Sequence, residues 1–214
     1  LGNGLSFTAG DGIRSIIGTS TSIGLTGSVV ANVSTGTTGS IFNISTTTNA
    51  LVINLPNANI TNNGTLAQTV GTAIIYNNGI ITNSGVITST SSANFRFLTG
   101  SKYEHSFLAS VGIIPAATWN PTSTCEILAC LGPGSGPTGI NQSFGHFIWN
   151  NTLQAAGDIN LAGAFIGTQV GGDFSMKSTG SGRLVLKGTN VGGTAVGGNF
   201  SITGGTLVLT NGLV

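Results

Sequence analysis

The chain has 214 residues and a formal net charge of +1, with only 5% charged residues and 35 glycines. Charged residues normally make up about a quarter of a globular chain, so no basic patch exists to neutralise a phosphate backbone, which excludes nucleic acid as a partner. Apolar residues at 39% exclude a disordered chain, and no run of about 18 apolar residues is present to cross a membrane as a helix.

Thr, Ser and Asn fill most of the polar positions, and many apolar residues are Ile, Val and Leu. This is the composition of a β protein with many tight turns, because β-branched residues suit a pleated surface and Gly and Asn suit turns. Weak charge leaves little repulsion against self-association. We expect an extracellular protein, hydrated by neutral hydroxyl and amide groups. No signal peptide is visible. The chain starts at Leu1 and stops after the strand-like Gly212-Leu213-Val214, so we expect a mature fragment or a piece of a longer repeat protein.

Residues 1–99 read as N-terminal solenoid coils. In 1–40, short apolar pairs such as Ile16-Ile17 and Val29-Val30 are punctuated by Gly10-Asp11-Gly12, Gly18 and Gly36. No apolar face recurs at helical spacing. In 41–99, runs of strand size (Ile41 to Ile44, Leu51 to Leu55, Ile74 to Tyr76, Ile80-Ile81, Val86-Ile87) alternate with Asn62-Asn63-Gly64, Asn77-Asn78-Gly79 and Asn83-Ser84-Gly85. Asn-Gly between strands signals antiparallel hairpins, hence a β-sandwich. In a parallel β-helix the same residues turn the corners, and stacked Asn side chains form ladders from coil to coil. The β-helix is favoured, because the runs lack the clean apolar/polar alternation of a half-exposed hairpin.

Residues 100–140 break the pattern with Lys102, Tyr103, Glu104, His105, Trp119, both cysteines and four prolines (Pro115, Pro121, Pro133, Pro137). We read them as a loop-rich excursion on the same solenoid. Residues 141–214 form the C-terminal coils. Gly145-His146-Phe147, Gly172-Asp173-Phe174 and Gly198-Asn199-Phe200 each open an apolar strand, followed by Ile159-Asn160-Leu161, Leu184-Val185-Leu186 and Leu207-Val208-Leu209. A strand pair recurring at that interval marks a solenoid whose coils bury their faces against their neighbours. The fold expected is all-β, a parallel β-helix with irregular coils. Phe147, Phe174 and Phe200 are expected to stack in its core.

Two resemblances rest on these residues. The run from Asn78 to Thr88 resembles the parallel β-helices of bacterial adhesins and autotransporter passenger domains. From Phe95 to Val214 the chain is similar to repeats of large secreted surface proteins of Bacteroidetes. The matching residues are Gly100 to His105, Ile114-Pro115-Ala116-Ala117-Thr118-Trp119, Ser123 to Ile127, Pro137 to Phe144, Phe147-Ile148-Trp149-Asn150 and the Gly-Asn-Phe type strands. The resemblance implies export by the type IX route and a cell-surface or extracellular role, with no catalytic residues to carry over. In that pattern a Cys follows the Trp-Asn pair. Here position 151 is Asn, which makes Cys130 the candidate partner of Cys125 for a disulfide that suits an exported protein, with two buried free thiols as the alternative.

Chemistry is thinly represented. There is no Cys-x-x-Cys, and the two histidines do not cluster in sequence, so neither metal nor cofactor is expected. Glu104-His105 forms a weak acid/base candidate, since neighbours on a strand face opposite ways. Asp158 and Asp173 are too few for the clustered carboxylates of a polysaccharide-cleaving enzyme or a calcium site. Tyr103 and Trp119 are the candidates for sugar contact, and Thr46-Thr47-Thr48 raises ice binding. We expect a non-catalytic structural or adhesive module, partnered by itself head to tail or by neighbouring repeats. The alternative is a carbohydrate- or ice-binding module.

Overall fold

A computed structural model describes the backbone of residues 7–9, 13–18, 22–25, 28–33, 41–46, 51–54, 59–62, 65–68, 74–89, 91–132, 134–161, 169–187 and 195–210. Side chains are described within 61–62, 66, 75–89, 91–132, 134–161, 170–186 and 195–209. Two compact units divide the chain. Unit one is Leu1–Tyr103 with Pro115–Asn120, and unit two is Glu104–Ile114 with Pro121–Val214.

Unit one carries β1 (Phe7–Ala9), β2 (Ile13–Gly18), β3 (Ser22–Leu25), β4 (Ser28–Val33), β5 (Ile41–Thr46), β6 (Leu51–Asn54), β7 (Asn59–Asn62), β8 (Thr65–Gln68), β9 (Ile74–Asn77), β10 (Ile80–Asn83), β11 (Val86–Thr88) and β12 (Phe95–Phe97). β13 (Lys102–Phe107) crosses the division, and β14 (Thr118–Trp119) returns to unit one. From β1 to β9 each strand pairs with the strand three places on, and β12 pairs with β14. β1, β4, β7 and β10 line one face, β2, β5, β8 and β11 a second, and β3, β6, β9, β12 and β14 a third. The pairings are parallel, for example Ile60 with Val29 and with Ile81. Consecutive strands do not pair with each other, so the antiparallel β-sandwich alternative is overturned. A hairpin requires antiparallel neighbours. Unit one is a three-sided parallel β-helix.

The Asn-rich punctuation sits at the corners. Asn62 and Asn83 are register partners on β7 and β10, both buried. Asn62 Nδ2 donates to Asn83 Oδ1 at 2.7 Å, and Asn83 Nδ2 donates to Gly85 O and to the Tyr103 hydroxyl, each at 3.1 Å. A buried amide is costly unless hydrogen-bonded, and here each layer satisfies the next. The pleat sends alternate residues inward. Ile81, Phe95, Phe97 and Tyr103 are thus fully buried, while Ile80, Arg96 and Lys102 remain partly exposed.

Unit two carries β15 (Thr124–Cys130), β16 (Gly134–Ser135), β17 (His146–Asn150), β18 (Asp158–Asn160), β19 (Gln169–Val170), β20 (Phe174–Ser178), β21 (Arg183–Lys187), β22 (Ala195–Val196), β23 (Phe200–Ile202) and β24 (Leu207–Thr210). β15, β17, β20 and β23 form one parallel sheet, β16, β18, β21 and β24 a second, and β19 with β22 a third. The same three-strand coil thus recurs. Its core holds Ile127, Phe147, Trp149, Phe174, Met176 and Leu184.

The stretch 100–140 carries the strands β13 to β16 and the connections between them. Pro115 and Pro121 lie between those strands and Pro137 follows β16, where a missing N–H breaks no ladder bond. Pro133 lies outside the described residues. Residues 108–117 keep the character of a connection, closed by a bond from Ile114 N to Thr138 O at 2.9 Å. Gly139 makes this closure possible. Its φ is +75°, and a Cβ there would run into the Ile114 carbonyl.

Candidate functional site

Tyr103 and Trp119, expected as sugar contacts, are core residues of unit one. Trp119 pairs with Phe97 through β12 and β14, and their rings stack at 4.0 Å and 10°. Tyr103 meets both rings edge-on, at 5.9 Å and 6.1 Å. With Tyr103 fully buried and Trp119 9% exposed, neither offers a platform to a sugar. The inward parity of β12 and β14 brings the three aromatics together.

Cys125 and Cys130 are both free and buried, which corrects the expected disulfide. They lie on the single extended strand β15. Five residues of strand span about 16 Å, whereas a bridge needs Cα atoms roughly 4.4–6.8 Å apart. Burial, helped by the charge of Glu126, pushes the Cys125 thiol well above its ordinary value, and burial pushes Cys130 up to about 12. Neither is a ready thiolate nucleophile.

Glu104 and His105 take opposite faces of β13, the histidine buried and the glutamate half-buried. His105 Nε2 lies 2.8 Å from Val111 O. A carbonyl only accepts, so Nε2 carries the proton. The ring stacks on Phe107 at 4.4 Å. Burial lowers its pKa to about 4 against the opposing pull of the Val111 carbonyl. The unfolded chain takes up this proton near pH 6.5, while the folded chain resists until about pH 4. Stability is therefore complete above pH 6.5 and falls between 6.5 and 4, by up to about 3 kcal/mol. Below pH 4 this group removes nothing further. The urea midpoint of His105→Gln is expected to change less between pH 7.5 and 4.5 than that of the native chain. Equal slopes would show that His105 is not the titrating group.

Asp158 and Asp173 do not converge. Asp158 lies on β18 and takes a bond from Arg183 Nε at 2.6 Å, its register partner on β21. Both side chains are substantially exposed, so the pair is worth about 0–1 kcal/mol. Asp173 precedes β20 in a different sheet. Among the described residues no group of three or more His, Cys, Asp or Glu is gathered to hold a metal. Thr47 and Thr48 lie outside the described residues.

A cavity of about 740 Å³ opens in unit two, lined among others by Cys130, Gly134, Gln154, Asp158, Ile159 and Arg183. Gln154 is buried, its Oε1 accepting from Trp149 Nε1 at 3.3 Å and its Nε2 donating to Arg183 O at 2.9 Å. Asp158 is the one carboxylate in the lining. Among the described residues the lining combines Gly, Ala, Leu131 and Ile159 with Cys130, Gln154 and the Asp158–Arg183 ion pair. That set can hold a small polar molecule but has no matched acid and base. Nearby, Asn151 Nδ2 donates to Cys130 O at 3.0 Å, and its buried Oδ1 has no partner.

The repeated triplets build two ladders in unit two. Inside, Phe147 pairs with Phe174 and Phe174 with Phe200. The rings stack at 5.6 Å and 24°, then at 4.9 Å and 6°. At the preceding position, His146 Nδ1 accepts from Asp173 N at 2.9 Å, and Asp173 Oδ1 accepts from Asn199 N at 2.7 Å. Sequence reasoning missed this polar ladder, although its signal was the variable residue between Gly and Phe in each triplet. Ser201 Oγ donates to Ser175 Oγ at 2.9 Å.

In the coil of β23 and β24 the inward positions are more exposed than their register partners. Phe200, Ile202 and Leu209 are 46%, 52% and 57% exposed, whereas their register partners Phe174, Met176 and Leu186 are 0%, 0% and 4% exposed. Phe200 thus stacks on Phe174 and is about half exposed, unlike the fully buried Phe147 and Phe174. Among the described residues no strand pairs with β23 or β24 on the side away from β20 and β21.

Together these features define a class of protein, an all-β parallel β-helix built from repeating coils. No family model matches the chain, and neither curated proteins nor solved structures give a significant match.

Proposed function

We propose that the chain is a non-catalytic structural and adhesive module of an extracellular or cell-surface protein, joined end to end with copies of itself or with neighbouring repeats into a fibre. The observation that supports this reading is the stacking of repeated coils in parallel register, ring on ring and hydroxyl on hydroxyl, as between β20 and β23. A strand edge with unpaired N–H and C=O groups templates another strand. The low charge of the chain removes the usual electrostatic barrier to that pairing. For its location, the support is the likeness to secreted surface repeats.

Sedimentation velocity across a wide concentration range, with electron microscopy of the heaviest fractions, tests the assembly. We expect species that lengthen with concentration and respond weakly to salt, because few charges are involved. A monomer at every concentration contradicts the proposal. The cavity beside Asp158 and Arg183 favours a second reading, the binding of a small polar ligand such as a saccharide. Saccharide-induced shifts confined to residues around Gln154 in an NMR titration support that reading.

A further inference from the structure

We infer that the cavity of unit two seats an uncharged saccharide, with two neighbouring ring hydroxyls bridging Arg183 and Asp158 and the C–H face of the ring against Ile159 and Leu131. This rests on the second reading above, a small polar ligand in that cavity, and adds the charge class of the ligand and the groups that meet it.

One long corner builds the cavity. β17 ends at Asn150 and β18 starts at Asp158, so seven residues, 151–157, turn from the first face to the second. In the next two coils the same corner takes four residues, 179–182 and 203–206. Gln154, Ala155, Ala156 and Gly157 of the long corner all line the cavity. Where a Cβ would stand on Gly134 or Gly157, both in the lining, there is open space. The volume of about 740 Å³ falls within the roughly 300–1,000 Å³ of small-molecule sites.

The polar groups of the lining have spare capacity. Arg183 holds Asp158 through Nε, at 2.6 Å to Oδ1. Among the described residues, the two Nη groups of Arg183 and Oδ2 of Asp158 make no hydrogen bond. Donors and an acceptor therefore stand side by side. A pair of neighbouring hydroxyls answers both, one accepting from Nη and the other donating to Oδ2. An anionic ligand meets the repulsion of Asp158 and a cationic one that of Arg183, so the pair selects an uncharged partner. Both side chains are about half exposed, which places them at the opening, whereas Gln154 is buried. Gln154 Nε2 spends one proton on Arg183 O and keeps a second for a third hydroxyl. Ile159 and Leu131 supply apolar surface for the C–H bonds of a sugar ring. A metal ion does not fit this lining, which has one carboxylate and a Cys130 thiol that burial keeps protonated.

The test titrates the full chain with the methyl glycosides of glucose, galactose and mannose and follows its amide signals by NMR. At least one glycoside is expected to shift the amides of residues 154–159 and of Arg183. Arg183→Gln and Asp158→Asn, with far-UV spectra unchanged, are each expected to weaken that glycoside about tenfold, the loss of one hydrogen bond to a charged group. Glucuronate and glucosamine, charged sugars of similar size, are expected to bind more weakly than the neutral glycoside. A glycoside that shifts these amides with equal affinity in the native chain and both variants leaves the cavity reading standing and overturns the bridge. Glucuronate binding more tightly than every neutral glycoside overturns the charge class and also leaves a polar ligand in the cavity. If neither the neutral nor the charged sugars shift any amide around the cavity, both readings fall.

Discussion

Phe174→Ala is expected to lower stability by about 3–5 kcal/mol, the usual cost of emptying a buried aromatic site, and Phe200→Ala by about 1–2 kcal/mol, since roughly half of that side chain is buried. The two residues share sequence pattern, strand type and register position. They differ in neighbours. Phe174 lies between Phe147 and Phe200 and is fully buried, while Phe200 has a described ring on one face and is 46% exposed. Removing Phe174 opens a cavity that Phe147 and Phe200 cannot close, because each is tied to its own strand. It also forfeits two ring contacts of about 0.5–1.5 kcal/mol each, part of which is counted in the first figure. Urea unfolding followed by near-ultraviolet circular dichroism, at a concentration too low for assembly, measures both. Equal losses would mean that the stack is not cooperative across coils.

The parallel fold was legible because a coil repeats its inward residues at one place in each turn. Phe147, Phe174 and Phe200 follow one another at nearly constant spacing, and neighbouring coils align them. The corners were legible for a different reason. Asn-Gly pairs mark a change of direction whether the next strand returns antiparallel or moves to a new face, so Asn62 and Asn83 announced turns without saying which. Their buried bonds to each other and to Tyr103 depend on the register of strands 21 residues apart, and no local pattern carries that information. Prolines, aromatics and cysteines made 100–140 look like a loop. Within it Tyr103, Trp119, Cys125 and Cys130 are buried, which no local pattern announced. The cavity beside Gln154 was invisible, because its lining residues come together only through how β16, β18 and β21 stack.

Phe97→Ala is expected to cost about 3–5 kcal/mol in unit one and to shift the emission of Trp119 to longer wavelength. Phe97 is the hub of the aromatic cluster. It is 1% exposed, stacks on Trp119 at 4.0 Å, and meets Phe95 and Tyr103 edge-on at 5.0 Å and 5.9 Å. Its deletion takes away the ring that covers one indole face and leaves room for water beside a residue now 9% exposed. Trp149 is the second tryptophan and lies in unit two, so recording the spectra in a Trp149→Phe background isolates Trp119. Tyr103→Phe is the contrasting change. It keeps the ring in place and removes the oxygen that accepts from Asn83 Nδ2, while that amide keeps its bond to Gly85 O, so the expected loss is about 0.5–1.5 kcal/mol. If these aromatics served a sugar instead, Phe97→Ala and Tyr103→Phe would leave stability nearly untouched and show their effect only when a saccharide is added. A large loss in the absence of any ligand, ordered Phe97 above Tyr103, follows only if the cluster is the packed interior of the coils.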